Sequence, residues 1–405
     1  MTGPPATPSP AQPRLERNPS VRYVQWLLGT ACAMLVANLY YAQPLTGVIS
    51  HALGMPAHSA GLIVTLPLTG YAIGLLMIVP LGDLFENRKL VLTLIAVEAI
   101  CTCAASLFVH PATFLTAAFL MGLSAAAVQV LVPYSSFLVP EAMRGRVVGR
   151  VVSGIMLGIM LARPLSSFVA DAFSWRAIFG ISSALMALLF LTLRVALPPR
   201  RPTGVSYAAL LRSMGSLFVT NEILRRRAIY HACMFGAFTT FWTAVPLWLT
   251  GPQFGLTQKG VAWVALAGVA GAVAPPIAGR IADKGMSQRG TALAMLLAAA
   301  AMLLTHFATD GSPLALAIVT ASAVLLDFAV SANLVFGQRA IFALRADERS
   351  RLNGLYTSTF FVGGAVGAAA SVWSYSHFGW PGALLLGLAL PLLGLLYFLT
   401  ERQSR

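Results

Sequence analysis

The chain of 405 residues is 58% hydrophobic and 10% charged, with a mean hydropathy of +0.78, far too apolar for a protein whose whole surface meets water. Disorder and most soluble enzyme folds are excluded on that ground, and lipid is the expected solvent. A net charge of +14 would suggest nucleic acid or an acidic partner in a soluble domain, so the placement of the basic residues has to be settled before their sign is read.

Residues 1–21 carry Pro4, Pro5, Pro8, Pro10, Pro13 and Pro19 with no apolar periodicity and read as a disordered tail. The apolar stretch that follows is long enough to span a bilayer and lacks a small-residue cleavage site, so it reads as a membrane helix rather than a signal peptide. Apolar runs of about 20 residues then succeed one another. Twelve spans are expected, at 22–45, 60–81, 90–109, 112–138, 147–171, 176–197, 229–250, 260–281, 290–308, 313–338, 352–374 and 381–400. The predicted organisation is an N-terminal six-helix bundle (22–197), a linker (198–228), a C-terminal six-helix bundle (229–400) and a short tail (401–405). Within the linker, Ser206 to Arg227 is amphipathic, with Leu210, Leu211, Met214, Leu217 and Phe218 among polar neighbours. It reads either as a helix lying on the membrane surface or as a solvated connection.

An even number of spans puts both termini on one side. With that side inside, all but three of the 27 lysines and arginines fall in inner loops and tails; Arg176 and Lys259 lie outside, and Arg163 lies within the fifth span. One missed or invented helix would invert every later loop, so this bias supports the span count. The basic charge is therefore topology, and no nucleic-acid partner is expected. Cys32, Cys101, Cys103 and Cys233 sit in apolar segments without histidines at metal-ligand spacing and read as reduced packing residues. G-x-x-x-x-G-K-[ST], H-E-x-x-H and G-x-S-x-G are all missing from the sequence, so no enzyme, metal or cofactor is expected.

Three ionisable residues stand inside spans: Glu98, Arg163 and Asp327. Each charge costs about 2.5–3.5 kcal/mol at the bilayer centre, so each is expected to face a partner or a cavity. Ionised together they carry one excess negative charge, which protonation of one carboxyl would balance. Asp327 is expected to pair with Arg163 in at least one state and to exchange a proton. A static ion pair that only fixes helix packing is the competing reading. The tenth span places Asp327, Ser331, Leu334 and Gln338 on one helical stripe. Trp248, near a helix end, reads as an interfacial anchor, and Gly154 with Gly158, and Gly363 with Gly367, form G-x-x-x-G faces for close helix contact.

The chain also repeats itself. Arg144-Gly145-Arg146-Val147-Val148-Gly149 matches Arg349-Ser350-Arg351-Leu352-Asn353-Gly354 at an offset of 205, as Phe173-Ser174-Trp175 matches Phe378-Gly379-Trp380. The turn at Gly82-Asp83 recurs at Ala282-Asp283. Each pair falls on one side of the membrane, so the halves are parallel repeats.

On these residues the chain resembles the major facilitator superfamily, and within it the twelve-helix drug:proton antiporters and arabinose-efflux-like permeases. Gly279-Arg280-Ile281-Ala282-Asp283-Lys284 is similar to that family's G-x-x-x-D-[RK] loop, while the first-half copy differs at Val79, Leu84 and Glu86. Gly154, Gly158 and Pro164 resemble the antiporter motif of the fifth helix, with Arg163 and Ser167 where glycine is usual, and Ala118 stands where the fourth-helix arginine would be. The resemblance implies an all-α fold of two six-helix bundles and a monomer in a bacterial cytoplasmic (inner) membrane with both termini cytoplasmic. The implied function is proton-coupled efflux of a small amphiphilic or drug-like molecule by alternating access, with proton-coupled uptake of a small nutrient or metabolite as the alternative. It implies a cytoplasmic gate of Asp83, Arg88, Arg144, Arg146, Asp283, Lys284, Arg349 and Arg351. Because helices 1, 4, 7 and 10 surround the path in that fold, the implied cavity is lined by Asn38, Tyr41, Gln43, Gln129, Phe238, Phe241, Trp242, Ser331 and Gln338, whose aromatic walls suit a lipophilic or cationic ligand. Glu98, on the peripheral third helix, is expected to be the less functional acid.

Overall fold

The structure, a computed structural model, describes residues 19–139, 143–200, 206–308, 310–344 and 348–401. Most of the predicted N-terminal tail and the last four residues lie outside that set. The membrane helices are α1 (Pro19–Ala37), α2 (Ala57–Asp83), α3 (Asn87–Leu107), α4 (Pro111–Phe137), α5 (Arg144–Ala172), α6 (Trp175–Ala196), α7 (Glu222–Thr250), α8 (Gln258–Asp283), α9 (Ser287–Phe307) and α10 (Pro313–Phe342). A final element, Arg349–Leu399, is broken at Gly379 into α11 (349–378) and α12 (380–399). Its backbone there takes φ +64° and ψ −157°, a conformation open to glycine but not to residues with a Cβ, and Pro381 follows.

Local chemistry sets several ends. The Nδ1 of His110 accepts from the backbone N–H of Ala112 ahead of α4, Ser312 caps Ala315 at the start of α10, and Asn221 caps Leu224 at the start of α7. Pro111 and Pro313 occupy first-turn positions where a missing N–H costs nothing. The amphipathic linker forms a helix, Tyr207–Thr220, that ends before Asn221, so Arg225, Arg226 and Arg227 belong to α7.

The first span differs from the continuous helix expected over 22–45. Regular helix stops at Ala37, and the chain continues through i→i−3 bonds such as Tyr40 N–H to Ala37 and Gln43 N–H to Tyr40 before a short helix, Thr46–Ala52. Pro44 lies within this stretch and, lacking an N–H, cannot close the i→i−4 bond to Tyr40.

The halves repeat each other in packing. The close approach of α1 to α5 puts Gly158 where a Cβ would come within 2.3 Å of the Ala33 carbonyl oxygen. Its repeat mate Gly363 on α11 stands likewise 2.4 Å from the Ala232 oxygen on α7. Gly154 and Gly367 make the same kind of contact with Gly29 and Gly236. Both G-x-x-x-G faces thus pack helices inside one half rather than across the two. Ile100, Leu188, Val195, Leu293, Leu385 and Leu396 point outward and are mostly exposed, an apolar belt that only lipid can satisfy. The protein is an integral membrane protein of the expected twelve-helix, two-bundle, all-α class.

Candidate functional site between the two halves

Arg163 on α5 and Asp327 on α10 come from opposite halves and meet in the middle of the molecule. They are 2% and 3% exposed, and Arg163 Nη2 donates to Asp327 Oδ2 at 3.4 Å. The other carboxylate oxygen accepts from the indole N–H of Trp242 on α7 at 2.7 Å. The guanidinium carbon lies 4.1 Å from the ring centroid of Trp242 and 4.8 Å from that of Phe238, so both rings stabilise its charge. On α8, Gly268 and Gly271 give the room for this. A Cβ on Gly271 would fall 2.7 Å from the Cβ of Asp327, and one on Gly268 would fall 2.9 Å from the Trp242 ring.

The two partners are unequally satisfied. Asp327 has a donor on each oxygen, whereas Nε and Nη1 of Arg163 are buried without an acceptor. Each orphaned donor in such a place costs about 1–3 kcal/mol.

Glu98, the third intramembrane charge, is far from this pair in its connections. It is fully buried on α3 and accepts from Asn38 Nδ2 at 2.7 Å, and Ser182 on α6 donates to Asn38 Oδ1 at 2.5 Å. Asn38, expected to line the cavity, is instead held by α3 and α6, because the chain leaves helical geometry directly after Ala37 and turns that side chain inward.

The remaining cavity residues divide. Gln43 Nε2 donates across the halves to Thr243 at 3.5 Å, and Tyr41 is buried nearby in sequence without reaching the ion pair's hydrogen bonds. Gln129 donates to the Tyr71 hydroxyl at 3.4 Å. Ser331 is half-buried one turn beyond Asp327. Gln338 lies further along α10, donating to Asn353 at 3.5 Å. Phe241 turns away from Arg163 and packs edge-on against Trp242 and Trp380. Trp248 is not an anchor in the interface: it is buried, stacked on Trp380 with centroids 4.1 Å apart, and its indole donates to Gln253.

Sequence reasoning missed His231. Its ring is buried on α7, contacts Asn333 of α10 at 2.9 Å, stacks on Tyr356 and meets Phe360 edge-on. The signal was available, since His231, Phe235, Phe238 and Trp242 repeat on α7 the spacing that Asp327, Ser331, Leu334 and Gln338 show on α10.

Most of the basic residues collect at one end of the bundle, here called the basic end. At the opposite end the halves touch through Gly47 and Leu247, Phe168 and Trp263, and the Lys259 N–H donating to Asp171. Gly61 and Thr65 of α2 pack on Ala368 and Ala365 of α11. At the basic end a cavity of about 440 Å³ separates α2 and α4 from α11, walled by Asp83, Gln129, Arg200 and Arg351 and by Leu210 and Met214 of the linker helix. The pKa of Arg200 is lowered by its partial burial, with Asp83 acting in the opposite direction.

The residues expected to form a gate are dispersed around that end. Arg88 donates to the Arg194 carbonyl, Asp283 pairs with Arg339 at 2.6 Å, and Arg349 donates to the Phe342 carbonyl at 3.1 Å. Arg351 reaches Ser213 of the linker helix and Glu348. Arg144 and Arg146 are exposed in the first turn of α5, and Lys284 is exposed at the end of α8.

Residues 26–339 match the profile of the Major Facilitator Superfamily. The chain is 38% identical over 373 residues to "Uncharacterized transporter YgaY" of Escherichia coli O157:H7, spanning 91% of this chain and 93% of that one. It is 32% identical over 400 residues to "Probable transporter SCO4007" of Streptomyces coelicolor, spanning 96% and 92%. Among solved structures, it is similar to a bacterial homolog of the human lysosomal transporter Spinster in an inward-facing, unoccupied conformation, with a TM-score of 0.73, 14% identity, and 96% and 99% of the two chains covered. It is also similar to the human organic anion transporter MFSD10 (TETRAN), with a TM-score of 0.65, 16% identity, and 94% and 100% covered. At those identities the two structures speak for the fold alone, while the profile match and the two closer relatives place this secondary transporter in the Major Facilitator Superfamily.

Proposed function

We propose that the protein is a proton-coupled secondary transporter of a small molecule, in which Asp327 carries the proton and Arg163 reports its arrival to the opposite half. The observation that carries this reading is a buried ion pair bridging the halves, Arg163 to Asp327. Rocking of one bundle against the other separates α5 from α10. A carboxylate parted from its arginine in an apolar site favours the neutral form, so the movement and the proton are linked. Units 22–197 and 229–400 are the rocking bodies, and the basic end, with both termini, faces the cytoplasm of a bacterial inner membrane, as its arginines favour. Glu98, held within one half, takes no part. Asp83, Arg88, Arg144, Arg146, Asp283, Lys284, Arg349 and Arg351 gate the basic end by exchanging partners as it opens and closes.

Efflux by exchange with protons is the direction supported by the resemblance of Gly154, Gly158 and Pro164 to the antiporter motif. A specific observation favours co-transport as the second reading: of the two ion-pair partners, Arg163 keeps unpartnered polar atoms and Asp327 does not. Proteoliposomes with an imposed pH gradient test the coupling. Wild type is expected to accumulate or release substrate with the gradient, and Asp327→Asn to lose at least tenfold of that gradient-driven flux; full retention by this variant would sink the coupling role.

A further inference from the structure

The aromatic faces beside the ion pair look like a box for a cationic ligand, but the structure has already filled it. The Arg163 guanidinium lies over both Trp242 and Phe238. A ligand cation would also need a carboxylate oxygen, and both oxygens of Asp327 are taken, one by Arg163 and one by the Trp242 indole. The buried carboxylate oxygen that lacks a partner, on Glu98, belongs to the Asn38–Ser182 network inside one half. What the ion pair lacks is an acceptor for the rest of the guanidinium. Arg163, 2% exposed, holds Nε and Nη1 unpartnered and keeps only one long contact, at 3.4 Å, through Nη2.

We infer that the transported molecule is an organic monoanion, and that its carboxylate takes the place of Asp327 on Arg163 while its apolar body lies along the aromatic rings of α7 and α11. This rests on the co-transport form of the proton-coupled reading above, not on exchange, and names the substrate class of that same site. A planar guanidinium fork matches a carboxylate in two-point contact better than it matches a spherical ion. The site holds one cation, so a second negative charge on the ligand would be left unpaired in apolar surroundings. The apolar wall is continuous. Phe238 stacks on Phe235 at 5.3 Å, Phe235 meets Phe361 at 5.0 Å, and Phe361 meets Tyr71 of α2 at 4.6 Å. Tyr71 is bonded to Gln129, which lines the cavity at the basic end, so rings lead from that opening to Arg163.

The sign of the coupling follows. Asp327 and the ligand compete for one guanidinium, so a proton on Asp327 frees Arg163 and strengthens anion binding; proton and monoanion enter together and add no net charge. The groups facing the pair from its neighbours are Trp242 and Phe238 of α7 and Gly268 and Gly271 of α8, with the Tyr40 phenol beyond α1 as the further titratable group acting on Arg163.

The test is the melting temperature of the purified full chain in detergent against three probes of one shape: 4-phenylbutyrate, its amide and 4-phenylbutylamine. Only the carboxylate is expected to raise it, saturably, with half-saturation at least fivefold lower at pH 5.5 than at pH 7.5 on the order expected for one linked proton. Asp327→Asn is expected to bind the carboxylate at least as tightly at both pH values, and Arg163→Gln to lose the shift. Should Arg163→Gln not fold, the double variant Arg163→Gln, Asp327→Asn, which leaves no buried ion at this site, serves in its place. Stabilisation by the amine or amide as strong as by the carboxylate, no shift with the carboxylate, or a shift that survives loss of Arg163 would overturn the anion site. Carboxylate binding that needs Arg163 but ignores pH would instead uphold the anion site and defeat Asp327 as the proton carrier.

Discussion

Glu98 and Asp327 are both acids buried midway along membrane helices, and both have a close nitrogen donor at 2.7 Å. That donor comes from the acid's own half in both cases, and they differ in whether a second partner comes from the other half. Asn38 and Ser182, the groups around Glu98, belong to the same half, so nothing in a rigid-body movement of the bundles disturbs them. Asp327 shares its charge with an arginine from the other half. Burial and hydrogen bonding alone therefore do not mark a working charge. A charge whose partner sits on a separately moving body is marked by that placement, because motion changes its electrostatic energy.

Variants can break this comparison at both sites. The largest effect is expected from Arg163→Ala, which leaves Asp327 buried without its cation; removing one member of a buried pair costs about 3–5 kcal/mol. Thermal unfolding in detergent should show it, and Arg163→Ala combined with Asp327→Ala should recover much of the loss. Nearly as large is the expected effect of Gly158→Leu, whose side chain would collide with the α1 backbone at Ala33. Overpacking of this kind costs about 1–3 kcal/mol or more, and the same substitution at the repeat mate Gly363 should match it. Different losses at the two positions would show that the halves tolerate strain unequally.

Trp242→Phe keeps the ring over Arg163 but removes the indole donor from Asp327. A loss of about 1.5–3 kcal/mol is expected for a hydrogen bond to a charged group, with the proton dependence of flux altered. Glu98→Gln should sharpen the contrast, because it keeps an acceptor for Asn38; flux within twofold of wild type is expected, and a loss comparable to that of Asp327→Asn would refute the distinction drawn between the acids. Smallest is Asp283→Asn, which removes an exposed pair with Arg339 worth about 0.2–1 kcal/mol. Its measurable effect is expected in transport kinetics at the basic end rather than in stability.

Much of the fold was legible because the bilayer imposes a length and an apolar composition on each crossing helix, and because a parallel repeat leaves matched motifs such as Arg144-Gly145-Arg146 and Arg349-Ser350-Arg351. The same rules misjudged the first span, where regular helix ends at Ala37 and Asn38 bonds within its own bundle. They also misjudged Trp248, since aromatic residues near a helix end are interfacial only when no neighbouring helix covers them, and Trp380 covers this one. His231 was overlooked although it shares a helical stripe with Trp242, because its polar partner, Asn333, lies on another helix 102 positions away.

Periodicity, charge placement and internal repetition by themselves determined the all-helical class, the span count, the parallel halves and the three buried charges worth explaining. Each is a property of one segment against lipid or water. Which charges meet, which donors stay unpartnered and which glycines face which backbone depended on how distant helices cross. Arg163 and Asp327 are 164 positions apart, and only their crossing at the centre brings them within 3.4 Å; a rule about neighbours along the chain cannot see a contact made between two halves.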